Sequence, residues 1–147
     1  LATNDFLLFI ITNQSGIARG FYTEEEFNLL TDKMLAGLAF EGIHIDKVYY
    51  CPHHPDFGSV EYRKICRCRK PQPGMILDAA LEFDVDLERS ILIGDNVSDV
   101  EAAISAGVAS SFLLNAQFNT ELPTVTKCRD LDDCATLLKN QLDRSKN

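Results

Sequence analysis

Phe6-Leu7-Leu8-Phe9-Ile10-Ile11-Thr12-Asn13-Gln14-Ser15-Gly16 sets an unbroken apolar run directly against a polar turn. Six apolar residues in succession mark a strand buried on both faces, as in a parallel sheet covered by helices. The figure returns downstream. Lys47-Val48-Tyr49-Tyr50 runs into Cys51, Ile91-Leu92-Ile93 runs into Gly94-Asp95-Asn96, and Ser111-Phe112-Leu113-Leu114 follows Gly107. Helical patterns lie between these strands. Thr23 and Glu26 have capping-box spacing, and Phe27, Leu30, Met34, Leu35 and Leu38 recur at helical intervals until Gly42. From Gly74 a helix carries Ile76, Ala79, Ala80 and Phe83 on one side; a second capping box, Ser98-x-x-Glu101, opens a helix that stops at Gly107. Residues 131 to about 142 read as a closing amphipathic helix. Strands alternating with helices predict an α/β fold: a doubly wound, Rossmann-like, mostly parallel sheet over residues 1–147 as one domain. Ligands gather at the carboxyl ends of such strands, and Thr12, Cys51 and Asp95 each fall just past one.

The 147 residues are 46% hydrophobic and 24% charged, enough for one packed core. A net charge of -8 repels phosphate backbones and anionic lipid, so neither nucleic acid nor membrane is expected as a partner. A phosphate ester would have to be met by local cations. No apolar run approaches the ~20 residues of a membrane span. Five cysteines is an odd number, and three of them cluster with a histidine, which favours metal thiolates in a reducing cytoplasm over a disulfide framework. Cys128 and Cys134 read as packing residues. Residue 1 is Leu, so a processed product, a domain or a fragment is expected rather than a chain opening at a translation start.

The sharpest pattern is C-x-H, twelve residues, then C-x-C: Cys51, His53, Cys66 and Cys68. Three thiolates and one imidazole fill a closed tetrahedral site of the kind that holds structural Zn²⁺. Residues 51–73 hold four prolines and no regular pattern, and loops of that length are uncommon unless something fixes them. His54 is an alternative imidazole beside His53. Arg69 and Lys70 follow the last thiolate at once, and a metal would hold their backbone ready. Arg offers a flat fork for oxyanions, and Lys a compact charge for a transferring phosphoryl group.

Thr12-Asn13-Gln14-Ser15 ends its strand in a hydroxyl and two amides, donors suited to a phosphate, with Arg19 in the same loop. Asp95 follows another strand directly, where hard carboxylate oxygens suit Mg²⁺, and Asp99 reads as a helper that orients that loop. The bland reading of both aspartates is helix N-capping.

Thr12 after the first strand, Lys70 after the long insertion, and Gly-Asp-x-x-x-Asp after a later strand resemble three of the four motifs of the haloacid dehalogenase-like phosphohydrolases. More narrowly, T-N-Q-S-G-I-A-R-G, C-P-H-H-P, C-x-C-R-K-P-x-P-G-M and I-G-D are similar to the heptose-1,7-bisphosphate 7-phosphatase branch, over residues 6–115. The resemblance implies a cytoplasmic, Mg²⁺-dependent, monomeric phosphatase acting on a small sugar phosphate, removing the 7-phosphate of D-glycero-D-manno-heptose 1,7-bisphosphate for surface-polysaccharide precursors. It implies that Thr12 and Lys70 stabilise the phosphoryl group, that Asn13, Gln14, Ser15, Arg69 and Asn96 meet substrate, that Asp95 binds Mg²⁺, and that Cys51, His53, Cys66 and Cys68 hold zinc. Asn96 stands where the heptose enzymes carry lysine. A histidinol-phosphate phosphatase shares the C-x-H and C-x-C-R-K pieces and is the second reading; an inactive phosphosugar-binding module is the third. The family attacks phosphorus with an aspartate in D-x-D-G-T, a motif that ends a central strand, and no D-x-D-G-T occurs here. The resemblance therefore implies a domain lacking its N-terminal strand and nucleophile, inactive and poorly folded by itself.

Overall fold

A computed structural model describes residues 6–114, 122 and 124–144. The elements run β1 (Phe9–Asn13), α1 (Ser15–Ala18), α2 (Glu24–Phe40), β2 (Lys47–Cys51), α3 (Gly74–Phe83), a 3₁₀ turn (Leu87–Arg89), β3 (Ile91–Gly94), α4 (Val97–Ala106), β4 (Ser110–Leu114), β5 (Val125–Cys128) and α5 (Leu131–Arg144). All strand pairings are parallel, as continuous apolar strands joined by helices require. The expected α/β architecture is present, but the strands fall into two sheets, β1-β2 and β3-β4-β5. Among the described residues no ladder joins β1 to β3.

One core nevertheless serves both sheets. Ile76 of α3 packs with Ala102, Ala103 and Val108, and that cluster touches Ile11 of β1 and Leu92 of β3. Small residues on α4 let it lie close over the sheet. A second cluster, Phe112, Cys128, Cys134 and Leu138, fastens β4 and β5 to α5. Phe112 and Leu113 are essentially fully buried, each contributing on the order of 2 kcal/mol through apolar burial. The two cysteines outside the C-x-H/C-x-C pattern are thus packing residues, and burial pushes the Cys134 thiol up to about 12.

Several local expectations were refined. β1 begins at Phe9 rather than Phe6. Thr23 and Glu26 form the capping box of α2, each accepting the other's backbone N–H. The box on α4 is not Ser98/Glu101: Asn96 is the cap and Asp99 the reciprocal partner. Two overlapping frames satisfy the spacing rule, and the buried carboxylate wins. Gly107 closes α4 at φ 87°, the left-handed conformation glycine adopts freely. β5 was not foreseen, because Thr126 and Lys127 dilute its four residues. On α2, Phe27 is buried as expected, whereas Leu30 is 67% and Met34 40% exposed. The apolar stripe of α2 is wider than the surface the two described sheets offer it.

Candidate functional site

β1 and β2 run side by side with Asn13 paired to Cys51, so the polar turn after β1 and the metal-ligand loop after β2 leave the sheet together. The loop folds back on itself: His54 N donates to Tyr62 O at 3.0 Å, and Lys64 N to His54 O at 3.1 Å. Glu24 at the start of α2 accepts from both Tyr50 Oη (2.6 Å) and Tyr62 Oη (2.8 Å), tying helix, strand and loop at one carboxylate. That hydrogen bond, with some burial, pushes the Tyr50 phenol up to about 12.

Cys51, His53, Cys66 and Cys68 converge with their ligand atoms within 4.8 Å of one another. The Cys68 sulfur lies 2.9 Å from that of Cys51 and 3.3 Å from that of Cys66, and His53 Nδ1 is 3.3 Å from the Cys68 sulfur. A tetrahedral zinc with Zn–S near 2.3 Å would set its sulfurs about 3.7 Å apart, so the cluster is of the right size and donor type. Burial pushes the Cys51 thiol far up. At Cys66 burial is outweighed by hydrogen bonds from Cys68 and the Arg69 backbone, which hold that thiol below its usual value. Burial raises the Cys68 thiol as well, so one low and two high thiols are packed together, and a cation would favour ionising all three. His54 does not join them. Its Nδ1 meets the Asp56 N–H at 3.1 Å, its Nε2 lies 3.2 Å from Arg19, and its ring packs on Phe57.

Two residues past Cys68, Lys70 reaches between β1 and α4. Its Nζ donates to Ile11 O of β1 at 2.8 Å and pairs with Asp99 Oδ1 of α4 at 2.7 Å. Both side chains are nearly buried, at 12% and 9% exposure. Asp99 Oδ2 accepts the backbone N–H groups of Asp95 (3.1 Å) and Asn96 (3.0 Å). One carboxylate therefore fixes the ammonium of Lys70 on one side and the Asp95 loop on the other. Gly94 makes this possible, because an added Cβ would fall inside the Asp99 side chain. Gly94→Ala is expected to cost about 1–3 kcal/mol by overpacking, read as a Tm lower by roughly 2–10 °C. An unchanged Tm would show that Asp99 has freedom to move.

The remaining residues from the sequence sort clearly. The Asn13 amide is clamped to Lys70: Nδ2 donates to Lys70 O (3.1 Å) and Oδ1 accepts from Lys70 N (3.0 Å). Gln14 Nε2 donates to Thr12 Oγ1 at 2.9 Å. Ser15 opens α1. Arg69 Nη1 donates to His53 O at 3.2 Å, lying beside the metal loop. Asn96 Oδ1 caps α4, accepting from Ser98 N at 3.1 Å. The Asp95 carboxylate is exposed and, among the described residues, makes no hydrogen bond or ion pair. Sequence reasoning gave Asp99 a helper's part; the structure makes it the hub.

A HAD-hydrolase-like family model matches residues 67–127, from the C-x-C stretch through β5. Among solved structures, the D,D-heptose 1,7-bisphosphate phosphatase from B. bronchiseptica, complexed with magnesium and phosphate, superposes with a TM-score of 0.79 at 35% identity, covering 93% of this chain and 76% of that one. The chain belongs to the haloacid dehalogenase-like hydrolases, in the heptose-bisphosphate phosphatase family. Within that family, the D-glycero-beta-D-manno-heptose-1,7-bisphosphate 7-phosphatase of Photorhabdus laumondii is 48% identical over 118 residues, covering 79% of this chain and 63% of the relative. The D-glycero-alpha-D-manno-heptose-1,7-bisphosphate 7-phosphatase of Campylobacter jejuni is 49% identical over 117 residues, covering 80% and 62%. This member spans about six-tenths of the length of the curated relatives it matches.

Proposed function

We propose that this chain is the phosphate-gripping and metal-holding part of a Mg²⁺-dependent phosphatase that removes the 7-phosphate of D-glycero-D-manno-heptose 1,7-bisphosphate. One observation carries the reading: Lys70 Nζ and the Asp95 loop are held by the two oxygens of the same Asp99 carboxylate, at the carboxyl ends of β1 and β3. A phosphoryl group between them would meet the remaining N–H of the Lys70 ammonium, the Thr12 hydroxyl and whatever Asp95 holds. Relatives named for the beta and for the alpha anomer match this chain about equally, at 48% and 49% identity.

Asp95 fits Mg²⁺: it is an exposed carboxylate with no protein partner among the described residues, next to a cation placed for an oxyanion. When bound, Mg²⁺ neutralises charge developing on the phosphoryl oxygens. Lys70 would bring a second positive charge to the same oxygens, and its two fixed hydrogen bonds leave little to reorganise as the ester breaks. Cys51, His53, Cys66 and Cys68 would hold zinc in a closed site that stiffens residues 51–73 and plays no part in activating water. Arg69 and Ser15, which adjoin Lys70 and the turn after Thr12 in sequence, are the side chains we assign to the sugar, while Asn13 holds the Lys70 backbone. Asn96 spends its side-chain oxygen on capping α4, leaving its amide nitrogen for substrate.

The attacking carboxylate is not supplied by these residues, since no D-x-D-G-T occurs in the sequence. We place it on a strand lying between β1 and β3, where the two parallel sheets fail to join. The chain by itself would then bind phosphate without releasing it from esters, while the completed enzyme works as a monomer in the cytoplasm. Phosphate release from heptose 1,7-bisphosphate, compared for residues 1–147 alone and for the same residues joined to a strand that carries D-x-D-G-T, tests this. Turnover only in the joined protein is expected. Turnover by residues 1–147 alone would overturn the assignment of the nucleophile, and no turnover by either would overturn the substrate.

A further inference from the structure

Both ends of the Gln14 amide are engaged, which leaves one N–H of Nε2 unused. Its Nε2 donates to Thr12 Oγ1 at 2.9 Å, and its Oε1 accepts from Tyr22 Oη at 2.6 Å. The distances agree with that assignment of the amide, because an O–H donor sits closer to its acceptor than an N–H donor does. The backbone is fixed as well: Gln14 N donates to Cys51 O at 2.8 Å, anchoring the turn to the end of β2. Tyr22 is equally constrained. Its ring lies against Gly16 so closely that an added Cβ there would fall inside it. Tyr22, Gln14 and Thr12 therefore form a hydrogen-bonded row, running from the start of α2 to the hydroxyl at the end of β1.

We infer that Gln14, held by Tyr22, is a positioning residue that sets the direction of the Thr12 hydroxyl. A threonine hydroxyl has one proton to give and two lone pairs to receive with. Because Gln14 donates to Thr12 Oγ1, it occupies an acceptor position and leaves the hydroxyl proton free to point into the pocket. An amide turned the other way would accept that proton and present a lone pair to the incoming oxyanion, which repels it. Tyr22 fixes the outcome by giving its own proton to the amide oxygen. The row thus sets the polarity of a group whose only use in the pocket is as a donor. Asn13 does the corresponding work for the neighbouring cation, clamping the Lys70 backbone through both ends of its amide. The two amides following Thr12 serve as struts, and the ester meets what they hold.

This inference rests on the proposed role of Thr12 as a phosphoryl donor, and a double-mutant cycle separates the two. Calorimetric titration of inorganic phosphate, with Mg²⁺ present, would be run on wild type, Thr12→Val, Gln14→Leu and the double variant. Circular dichroism would confirm that each is folded. Thr12→Val is expected to weaken phosphate binding about tenfold, the value of one hydrogen bond to a charged acceptor, and Gln14→Leu by roughly threefold to fivefold. In the Thr12→Val background, Gln14→Leu should change nothing further. Gln14→Leu weakening binding by the same factor in both backgrounds would make it a direct contact and overturn the inference. No effect of Gln14→Leu in either background would overturn it equally. No effect of Thr12→Val would instead remove the phosphoryl role of Thr12 itself. Tyr22→Phe keeps the ring over Gly16 and removes only the hydroxyl, so it guards against misfolding of the Gln14 variant. It should weaken phosphate binding about twofold, and only where Thr12 is intact.

Discussion

Stripping the Cys51–His53–Cys66–Cys68 site with a strong chelator is expected to melt residues 51–73 and lower the Tm of the whole chain by more than about 10 °C. The magnitude follows from what else supports the loop. Between β2 and α3 there is no regular element; apart from the Cys/His cluster the middle of the loop has a few backbone hydrogen bonds and the Glu24–Tyr62 and His54–Arg19 contacts, and its end is held by Lys70 against Asn13, Ile11 and Asp99. Zinc binding in small zinc peptides contributes on the order of 10 kcal/mol, comparable with the whole stability of an ordinary domain. Without a cation, three thiols of unlike affinity for their protons remain packed at sulfur separations of 2.9 to 3.5 Å. Elemental analysis should find one zinc per chain, and limited proteolysis after chelation should cut near Val60 and Ile65, both highly exposed. An unchanged Tm and digest in a metal-free sample would show that the loop stands without the ion. The damage should reach the pocket, since Cys68 is two residues from Lys70.

The second large effect lies at Lys70. Lys70→Met removes the ammonium while leaving the Asp99 carboxylate nearly buried and still holding the Asp95 loop. Breaking a buried pair from one side costs about 3–5 kcal/mol, because the surviving charge stays desolvated. Asp99 keeps two backbone N–H partners, so the lower end of that range is expected. Replacing both partners, as Lys70→Met with Asp99→Asn, should recover much of the loss, because the neutral amide can still accept from Asp95 N and Asn96 N. Phosphate affinity should behave differently: roughly 10-fold to 100-fold weaker in the single variant, and not restored in the double. Thermal unfolding and phosphate titration thus read two separate consequences of one substitution. A double variant that regained phosphate binding would mean that Lys70 serves the fold alone.

Those two effects also show where the sequence was informative. The apolar runs at residues 6–11, 91–93 and 111–114 announced parallel strands, but only β4 is buried as expected: β1 is half-buried and Ile93 of β3 is exposed. The metal loop was legible because C-x-H and C-x-C spacings have few other uses, and the geometry chose His53 over His54. The hub was harder to read. Asp99 fits an ordinary helix start, and only the register of β3 against α4, with a glycine at position 94, turns it toward Lys70. The amides of Asn13 and Gln14 looked like ligand donors for the same reason. A sequence shows what a side chain can donate, while the fold decides how much of that capacity is already engaged. The exposure of Leu30 and Met34 likewise could not be seen from helical periodicity, which gives the width of an apolar stripe and not what covers it.

Titration of inorganic phosphate into the zinc-loaded protein, with and without Mg²⁺, tests most directly whether Lys70 and Asp95 close on one ligand. Mg²⁺ should tighten phosphate binding by about tenfold, phosphate should tighten Mg²⁺ by the same factor, and the coupling should vanish in both Lys70→Met and Asp95→Asn. Phosphate affinity that ignores Mg²⁺, or that survives Lys70→Met undiminished, would place the two residues in separate sites and contradict the account.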